Sequence, residues 1–157
     1  MKKTGLAIVL TITLLMASAC ERETSANITA DEIWAEMKET AAFSQQGEEN
    51  LLNRETAERY GISTKSIKEG KIYFDANKNA ADKVIIATAA EASDVEKIEK
   101  ALSSEKIRLV DALENDKEQQ QKVKSIVVKT IGRYCVLIMS EDAATLEKIF
   151  DRTVSLH

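Results

Sequence analysis

The sequence predicts an α+β domain: two N-terminal helices, then a ββαββα unit with a four-stranded, mainly antiparallel sheet and helices packed on one face. Three observations predict this class. Short apolar runs rich in β-branched residues occur in pairs, at 71–75 with 83–89 and at 123–130 with 134–139. Each pair is joined by few residues, as in a hairpin, and a helical apolar stripe follows each pair. Strand pairs placed between helices favour α+β architecture over an alternating α/β fold.

The chain opens with a segment typical of export signals. Residues 1–19 begin with a cationic stretch and continue with uncharged residues, in a run shorter than the roughly 20 apolar residues of a membrane span. Ala17-Ser18-Ala19 fits the small-x-small rule of ordinary secretory cleavage, and the same residues followed by Cys20 resemble a bacterial lipobox. In a lipobox the Cys sulfur receives a diacylglyceryl group before cleavage. Both interpretations stay open, and we favour lipidation because a cysteine stands at the deciding position.

Lipidation sets the expected location and domain organisation. Two acyl chains hold a protein durably at a bilayer, whereas one chain binds marginally. We expect residues 20–28 to be the lipidated Cys and a short tether, residues 29–157 to form one domain, and the protein to lie on the extracytoplasmic face of the cell membrane. Residues 1–19 contain two lysines and no acid, so removing them takes the formal net charge from −4 to −6. This acidic balance predicts no nucleic-acid partner and leaves membrane affinity to the lipid.

The first helix is predicted by a capping box, in which Thr29 is the N-cap and Glu32 follows three residues later. Ile28 and Ile33 occupy the positions of a hydrophobic staple. Trp34 lies beside the apolar face that Ile33 begins. We interpret this tryptophan as a core anchor and not as a ligand-stacking ring.

The next stretch contains mostly turn and capping signals. Residues 44–50 are polar and include a glycine, so they are predicted to be a loop. Asn53 is predicted to cap a second helix that Gly61 ends. Residues 63–70 are ambiguous, and one interpretation is a further helical turn around Ile67 before the first strand.

Two more N-terminal signals predict the later helices. A capping box at residues 93–96 opens the longest helix, which has an apolar stripe formed by Val95, Ile98, Leu102, Leu109 and Leu113. Residues 115–122 are predicted to be a frayed helix end and a loop. Gly132 is expected to supply a positive φ between the last two strands. Ser140 is predicted to cap the last helix, with two acids in its first turn.

The sequence predicts no catalytic residue, cofactor or metal site. Cys135 lies in an apolar strand and is interpreted as a small buried residue, which has no disulfide partner if Cys20 carries lipid. The single histidine is the terminal His157, which argues against histidine catalysis and zinc hydrolysis. Neither a glycine-rich phosphate loop nor a nucleophile elbow is found. The acidic residues scatter as solvated faces do, among them Glu48-Glu49 and Asp111 with Glu114.

Several segments together resemble a known family. They are the lipobox, residues 57–62 (AERYGI), residues 125–138 (SIVVKTIGRYCVLI) and the acidic helix start at 140–143 (SEDA). The chain from about Trp34 onward resembles the Gram-positive (Bacillota) small lipoprotein family known as domain of unknown function 4358. The resemblance implies a cell-surface location and a compact α+β domain. It brings no activity and no catalytic residues.

The expected function is a non-enzymatic binding or scaffold domain, anchored through the lipid on Cys20, with an envelope protein as its partner. Two alternatives stay open: a small-molecule binding module and a carboxylate-dependent envelope enzyme. An uncovered apolar sheet face would favour the first reading. A deep apolar pocket would favour ligand binding, and two carboxylates facing each other across a cleft would favour the enzyme.

Overall fold

The structure is a computed structural model that describes residues 28–40, 43, 47–75 and 82–156. Its helices are α1 (Ala30–Thr40), α2 (Arg54–Arg59), α3 (Val95–Leu113), α4 (Gln120–Lys124) and α5 (Ala143–Ser155). Its strands are β1 (Gly47–Leu51), β2 (Ile67–Asp75), β3 (Lys83–Ala89), β4 (Val127–Ile131) and β5 (Tyr134–Met139). The predicted α+β class is therefore confirmed.

The described strands form one sheet in the order β1-β2-β3-β5-β4, and every neighbouring pair is antiparallel. The prediction of four strands is wrong, because residues 47–51 form a fifth strand. Residues 47–50 of this strand belong to the loop predicted over 44–50, and residues 44–46 of that loop lie outside the described residues. This strand buries almost none of its side chains and is held by backbone pairing with β2. Gly47 sits against the ring of Tyr73, where a Cβ would overlap the ring. A strand held in this way carries no apolar alternation that a sequence could show.

The prediction of helices on one face is also wrong, because helices cover both faces of the sheet. On the first face α1 and α5 pack against alternate residues of β3 and β5, including Val84, Ile86 and Val136. On the second face α2 and α3 pack against the intervening residues, including Ile85 and Leu137. All six residues of β5 are buried, as expected of a strand that has both sides covered.

The predicted first turns of α1 and α2 are confirmed. The Thr29 N–H donates to Glu32 Oε2 at 2.8 Å, and the Glu32 N–H donates to Thr29 Oγ1 at 3.2 Å, which is a complete capping box. The staple residues Ile28 and Ile33 are buried in the same core cluster. At α2 the Asn53 side chain accepts a hydrogen bond from the Thr56 N–H, as an N-cap does. Just beyond this helix, Gly61 has a φ of 68°.

The capping box predicted at residues 93–96 does not form. A 3₁₀ turn, Ala92–Asp94, leads directly into α3, so the backbone of Asp94 is already helical and no side chain caps the helix. The Asp94 carboxylate instead accepts a hydrogen bond from the buried Ser66 hydroxyl at 3.1 Å. The predicted length of α3 is confirmed, since the two serines at 103–104 do not interrupt the helix.

The last helix begins later than predicted. Asp142, and not Ser140, occupies the N-cap position of α5, and its side chain makes no capping bond. Ser140 Oγ accepts a hydrogen bond from the Asp142 N–H at 3.3 Å, which forms a turn between β5 and the helix. Glu141 and Asp142 therefore precede the first turn that they were predicted to occupy.

Two strand boundaries differ from the prediction. Residues 120–124 form α4, so the strand predicted over 123–130 is only Val127–Ile131. The ambiguous residues around Ile67 belong to β2 and contain a bulge, so the helical interpretation there is wrong. Gly132 has a φ of 54° in the tight turn between β4 and β5, which confirms its predicted role.

The two ends of the sheet carry different features. At the end where β5 begins, called here the Tyr134 end, the Tyr134 hydroxyl donates to the carbonyl of Ile28 at 3.0 Å. The Ala30 N–H donates to Glu69 Oε1 at 3.0 Å at the same end. The first described residue is therefore held at the Tyr134 end. The opposite end, called here the Asp82 end, is where β2 and β5 finish and β3 starts.

Candidate functional sites

A buried polar cluster occupies the Asp82 end of the sheet. It consists of four buried side chains: Asp75, Asp82, Lys122 and Ser140. The Lys122 ammonium lies 3.0 Å from Asp82 Oδ1, and only 7% and 10% of these two side chains are exposed. The Asp75 N–H donates to the carbonyl of Asp82 at 2.9 Å. The ion pair thereby attaches the short helix α4 to the β2–β3 hairpin.

The pKa of Asp82 reflects a carboxylate that is enclosed by the protein. Burial raises the pKa of Asp82, and the nearby Asp75 carboxylate raises it further. Hydrogen bonds from Lys122 and Ser140 act in the opposite direction. Two carboxylates thus lie near each other, but in the packed end of the sheet. Asp82 lies against the Lys122 ammonium, and the two enclosed side chains form a structural ion pair.

A second charged cluster lies between α3 and the start of β3. Glu105 accepts two hydrogen bonds from Arg108, at 2.6 and 2.7 Å, and one from Lys83 at 2.9 Å. Burial acts to raise the pKa of Glu105, but these partners outweigh burial and leave the pKa below its ordinary value. The Lys83 ammonium also lies 5.3 Å from the ring centre of Tyr60. This cluster fixes α3 to the second face of the sheet.

Cys135 is fully buried in β5, as predicted. Burial raises the pKa of its thiol to about 11, and Thr130 Oγ1 donates a weak hydrogen bond to Sγ at 3.8 Å. The thiol is therefore protonated at neutral pH, and only the thiolate is a nucleophile. Cys135 is a core residue.

Trp34 is the centre of an aromatic cluster on the first face. Its ring lies 4.9 Å, centre to centre, from both Phe43 and Tyr73. The side chain is buried among core residues. The prediction that Trp34 anchors α1 to the core is confirmed.

The two edges of the sheet are protected differently. At the β1 edge, Glu48 and Glu49 are exposed, and Glu49 pairs with Lys38 and Lys71. The hydrogen bond from Lys38 is the main reason that the pKa of Glu49 is lowered, with burial opposing it. The β4 edge has the sequence VVKTI, in which every residue is half-buried and only Lys129 is charged. No described strand pairs with the outer side of β4.

Lys129 is neutralised within its own domain. Its ammonium lies 2.8 Å from Glu147 Oε1 and 2.7 Å from Asp151 Oδ2, both on α5. Hydrogen bonds to Asp151 and then Glu147 raise the pKa of Lys129. Lys129 thus forms ion pairs with two carboxylates at the edge of the sheet.

The remaining residues singled out in the sequence are dispersed. Glu48-Glu49 lies on β1, and Asp111 and Glu114 lie exposed near the end of α3, so the structure does not bring these acids together. Cys20 and His157 lie outside the described residues. Over the part of the chain that is described, no cluster of three or more His, Cys, Asp or Glu side chains is arranged to hold a metal ion. The helices described for this chain include none that is both long and apolar enough to cross a membrane.

Sequence reasoning missed the buried ion pairs. The polar composition of residues 115–122 predicts a loop for Lys122, and no pattern in the sequence assigns a role to Asp82. The one indication in the sequence is the pair of charged residues, Asp82 and Lys83, at the start of an apolar strand. Such a signal does not name its partner, because Lys122 and Glu105 are distant in sequence.

Comparison with known proteins identifies a family but no activity. No curated protein and no solved structure matches the chain. The family described as Domain of unknown function (DUF4358) matches residues 41–140. That match contains all five strands together with α2, α3 and α4, and it leaves α1 and α5 outside. The chain belongs to the DUF4358 family.

Proposed function

We propose that this protein is a non-enzymatic binding or scaffold domain, held on the extracytoplasmic face of the cell membrane by a lipid on Cys20. The observation that carries the binding role is the unequal protection of the two sheet edges. The β1 edge presents two glutamates, of which Glu49 is paired with Lys38 and Lys71. The β4 edge presents four uncharged β-branched residues and a single lysine, which is paired with two acids of α5. Because helices cover both sheet faces, a strand edge is the part of the sheet left for recognition.

The anchoring role is supported by the lipobox ahead of the domain. Seven residues lie between Cys20 and Ile28, the first residue held at the Tyr134 end, so the chain makes eight residue steps from one to the other. A fully extended chain of that length spans at most about 29 Å. A lipid on Cys20 would therefore keep the domain within about that distance of the bilayer. The family resemblance to Gram-positive lipoproteins points the same way.

The anchor is tested by membrane fractionation of a Cys20→Ser variant. We expect the parent protein to sediment with membranes and Cys20→Ser to appear in the soluble or secreted fraction. Cys135→Ala is the matched control, since it removes the other, buried cysteine and should stay with the membrane. If Cys20→Ser is shown by its mass to lack residues 1–19 and still remains with the membrane as the parent does, the lipid anchor is rejected.

The binding role is tested by crosslinking and affinity capture of the full chain from its native envelope. We expect replicate preparations to recover the same partner protein. Recovery of no reproducible partner would count against a binding or scaffold role, whatever the outcome for Cys20.

A further inference from the structure

We propose that the outer edge of β4 receives an extended strand of a partner protein, and that this strand carries a lysine or arginine beside Lys129. The inference rests on the binding role proposed above and specifies its surface and its partner. Its grounds are the pairing of β4 and the charges beside this strand.

The first argument is the open pairing capacity of β4. The strand is last in the sheet order and pairs only with β5 among the described strands. Alternate backbone N–H and C=O groups of an edge strand point away from the sheet and can pair with an added strand. Addition of an extended peptide to such an edge is a recurring mode of recognition.

The second argument is that β4 lacks the protection that β1 has. Charged edge side chains discourage pairing with another strand, and β1 has two exposed glutamates. Four of the five residues in β4 are uncharged and β-branched: Val127, Val128, Thr130 and Ile131. Helices α3 and α5 pack against β4 from its two faces. The Lys106 ammonium donates to the carbonyl of Ile126, the residue before β4, at 2.8 Å, and no described strand pairs with the outer side of β4 itself.

The third argument is the local charge, which selects a cationic strand. Lys129 lies on the α5 side of the strand, within ion-pair distance of both Glu147 and Asp151. Two carboxylates share one ammonium, so a single negative charge is left over. A lysine or arginine on the incoming strand would neutralise this charge, whereas an acid would be repelled by it.

The fourth argument favours another protein over a second copy of this chain. In a twofold pair, two β4 strands would run antiparallel and continue the sheet. Each copy would then bring its own excess negative charge, from Glu147 and Asp151 against Lys129, to the shared edge. Like charges that face each other across paired strands are destabilising, whereas a cationic partner strand neutralises the excess.

The test uses two labelled, capped peptides and the full chain, purified in detergent from whichever fraction contains it. One peptide is Thr-Val-Thr-Val-Lys-Val-Thr-Val-Thr, and the other has Glu in place of Lys. We expect the Lys peptide to bind about tenfold more tightly in fluorescence anisotropy, because the charge pairing reverses sign. Hydrogen exchange of the β4 amides should slow on binding, and that of β1 should not.

The charge variants locate the preference. Glu147→Gln combined with Asp151→Asn leaves Lys129 as the one charge of the three and should reverse the preference, so that the Glu peptide binds more tightly than the Lys peptide. The matched control, Glu48→Gln combined with Glu49→Gln, removes two acids at the β1 edge and should keep the tenfold ratio. A double variant at α5 that retains the full preference would overturn the charge argument.

Three further outcomes would overturn the proposal. The first is equal affinity for the two peptides, and the second is hydrogen exchange that slows at β1 alone. The third is a dimer, seen in sedimentation, that dissociates in the Lys129→Glu variant and that neither peptide displaces. The last outcome would make a second copy the occupant. The assay involves no membrane, so its failure leaves the Cys20 anchor untouched. Capture of a reproducible partner together with peptide failure would keep the binding role and reject this edge.

Discussion

Replacing Lys122 by methionine should convert the buried polar cluster from a paired charge into an unpaired one. The ammonium lies 3.0 Å from Asp82 Oδ1, and both side chains are almost fully enclosed. Methionine keeps most of the volume of the lysine stem and removes the ammonium, with its charge and its hydrogen bond to Asp82. The Asp82 carboxylate would then be left in the packed end of the sheet without its cation.

The expected loss follows from that enclosure. Breaking a buried ion pair by removing one partner costs about 3–5 kcal/mol. Protonation relieves part of this cost, because burial already raises the pKa of Asp82 and the loss of Lys122 would raise it further. We expect about 3 kcal/mol at pH 7, which corresponds to about 10 °C in melting temperature for a domain of this size.

The pH dependence has a definite sign. An acid whose pKa is higher in the folded state than in the unfolded state favours folding at low pH, and this contribution is lost as the pH rises through the folded value. Because Lys122→Met would raise the folded pKa of Asp82 further, the deficit of the variant should be largest at neutral pH. It should shrink as the pH falls and Asp82 takes up its proton.

Urea unfolding followed by the fluorescence of Trp34, the single tryptophan, measures this loss. Parent, Lys122→Met and the matched control Lys124→Met should be compared at pH 7 and pH 5. Lys124 is exposed on the same helix, so its replacement should change stability by less than about 0.5 kcal/mol. A loss below about 1 kcal/mol for Lys122→Met, or an equal loss at both pH values, would refute the account of the cluster.

Two further substitutions test the packing of the sheet. Glu105→Gln should lower stability by about 2 kcal/mol at pH 7. The pKa of Glu105 in the folded protein lies below its ordinary value of 4.5, so the ionised side chain stabilises the fold above pH 4.5. This stabilisation is lost as the pH falls through the folded pKa, and the stability deficit of Glu105→Gln should therefore vanish in acid. Urea midpoints at pH 7 and pH 3 check this against the exposed control Glu99→Gln, and a deficit unchanged in acid would contradict it. Gly70→Ala should cost about 2 kcal/mol, because its Cβ would lie 2.6 Å from the carbonyl oxygen of Ile86. At Gly61 an added Cβ would have no atom within 4 Å, so Gly61→Ala should lower the free energy of unfolding by only about 1 kcal/mol, through its φ of 68°. Equal melting temperatures for the two alanine variants would argue against the close approach at Gly70.

The central strands were predictable because their sequences report burial directly. β3 and β5 are continuous apolar runs, and such runs favour strands buried on both sides. The same observation could have indicated helices on both faces of the sheet, since a strand with one solvated face alternates. The Thr29–Glu32 box and Gly132 were predictable because their roles depend on local backbone geometry.

The parts that could not be predicted depend on tertiary contacts. β1 is a strand because β2 lies beside it, and its own residues carry no strand pattern. The box at residues 93–96 has the right composition, but the turn after β3 places Asp94 in a helical conformation and its carboxylate beside Ser66. Lys122 reaches Asp82 across 40 residues of sequence, a pairing that local periodicity does not contain.

For the outer edge of β4, too, local sequence predicts one part of the structure and tertiary contacts determine the rest. The apolar sequence of β4 was predictable as a strand, although its start was placed four residues too early. Its position at the edge follows from the strand order, which places β5 between β3 and β4. The contacts of Lys129 with Glu147 and Asp151 likewise require α5 to lie on one particular face.

The central claim is that Cys20 is the lipidated first residue of the mature protein. Mass spectrometry of the amino-terminal peptide from the purified protein tests it most directly. The account predicts a peptide that begins at Cys20, lacks residues 1–19 and carries the added mass of a diacylglyceryl group on the cysteine sulfur. A peptide that retains residues 1–19, or one that begins at or after Cys20 and carries no lipid, would contradict it.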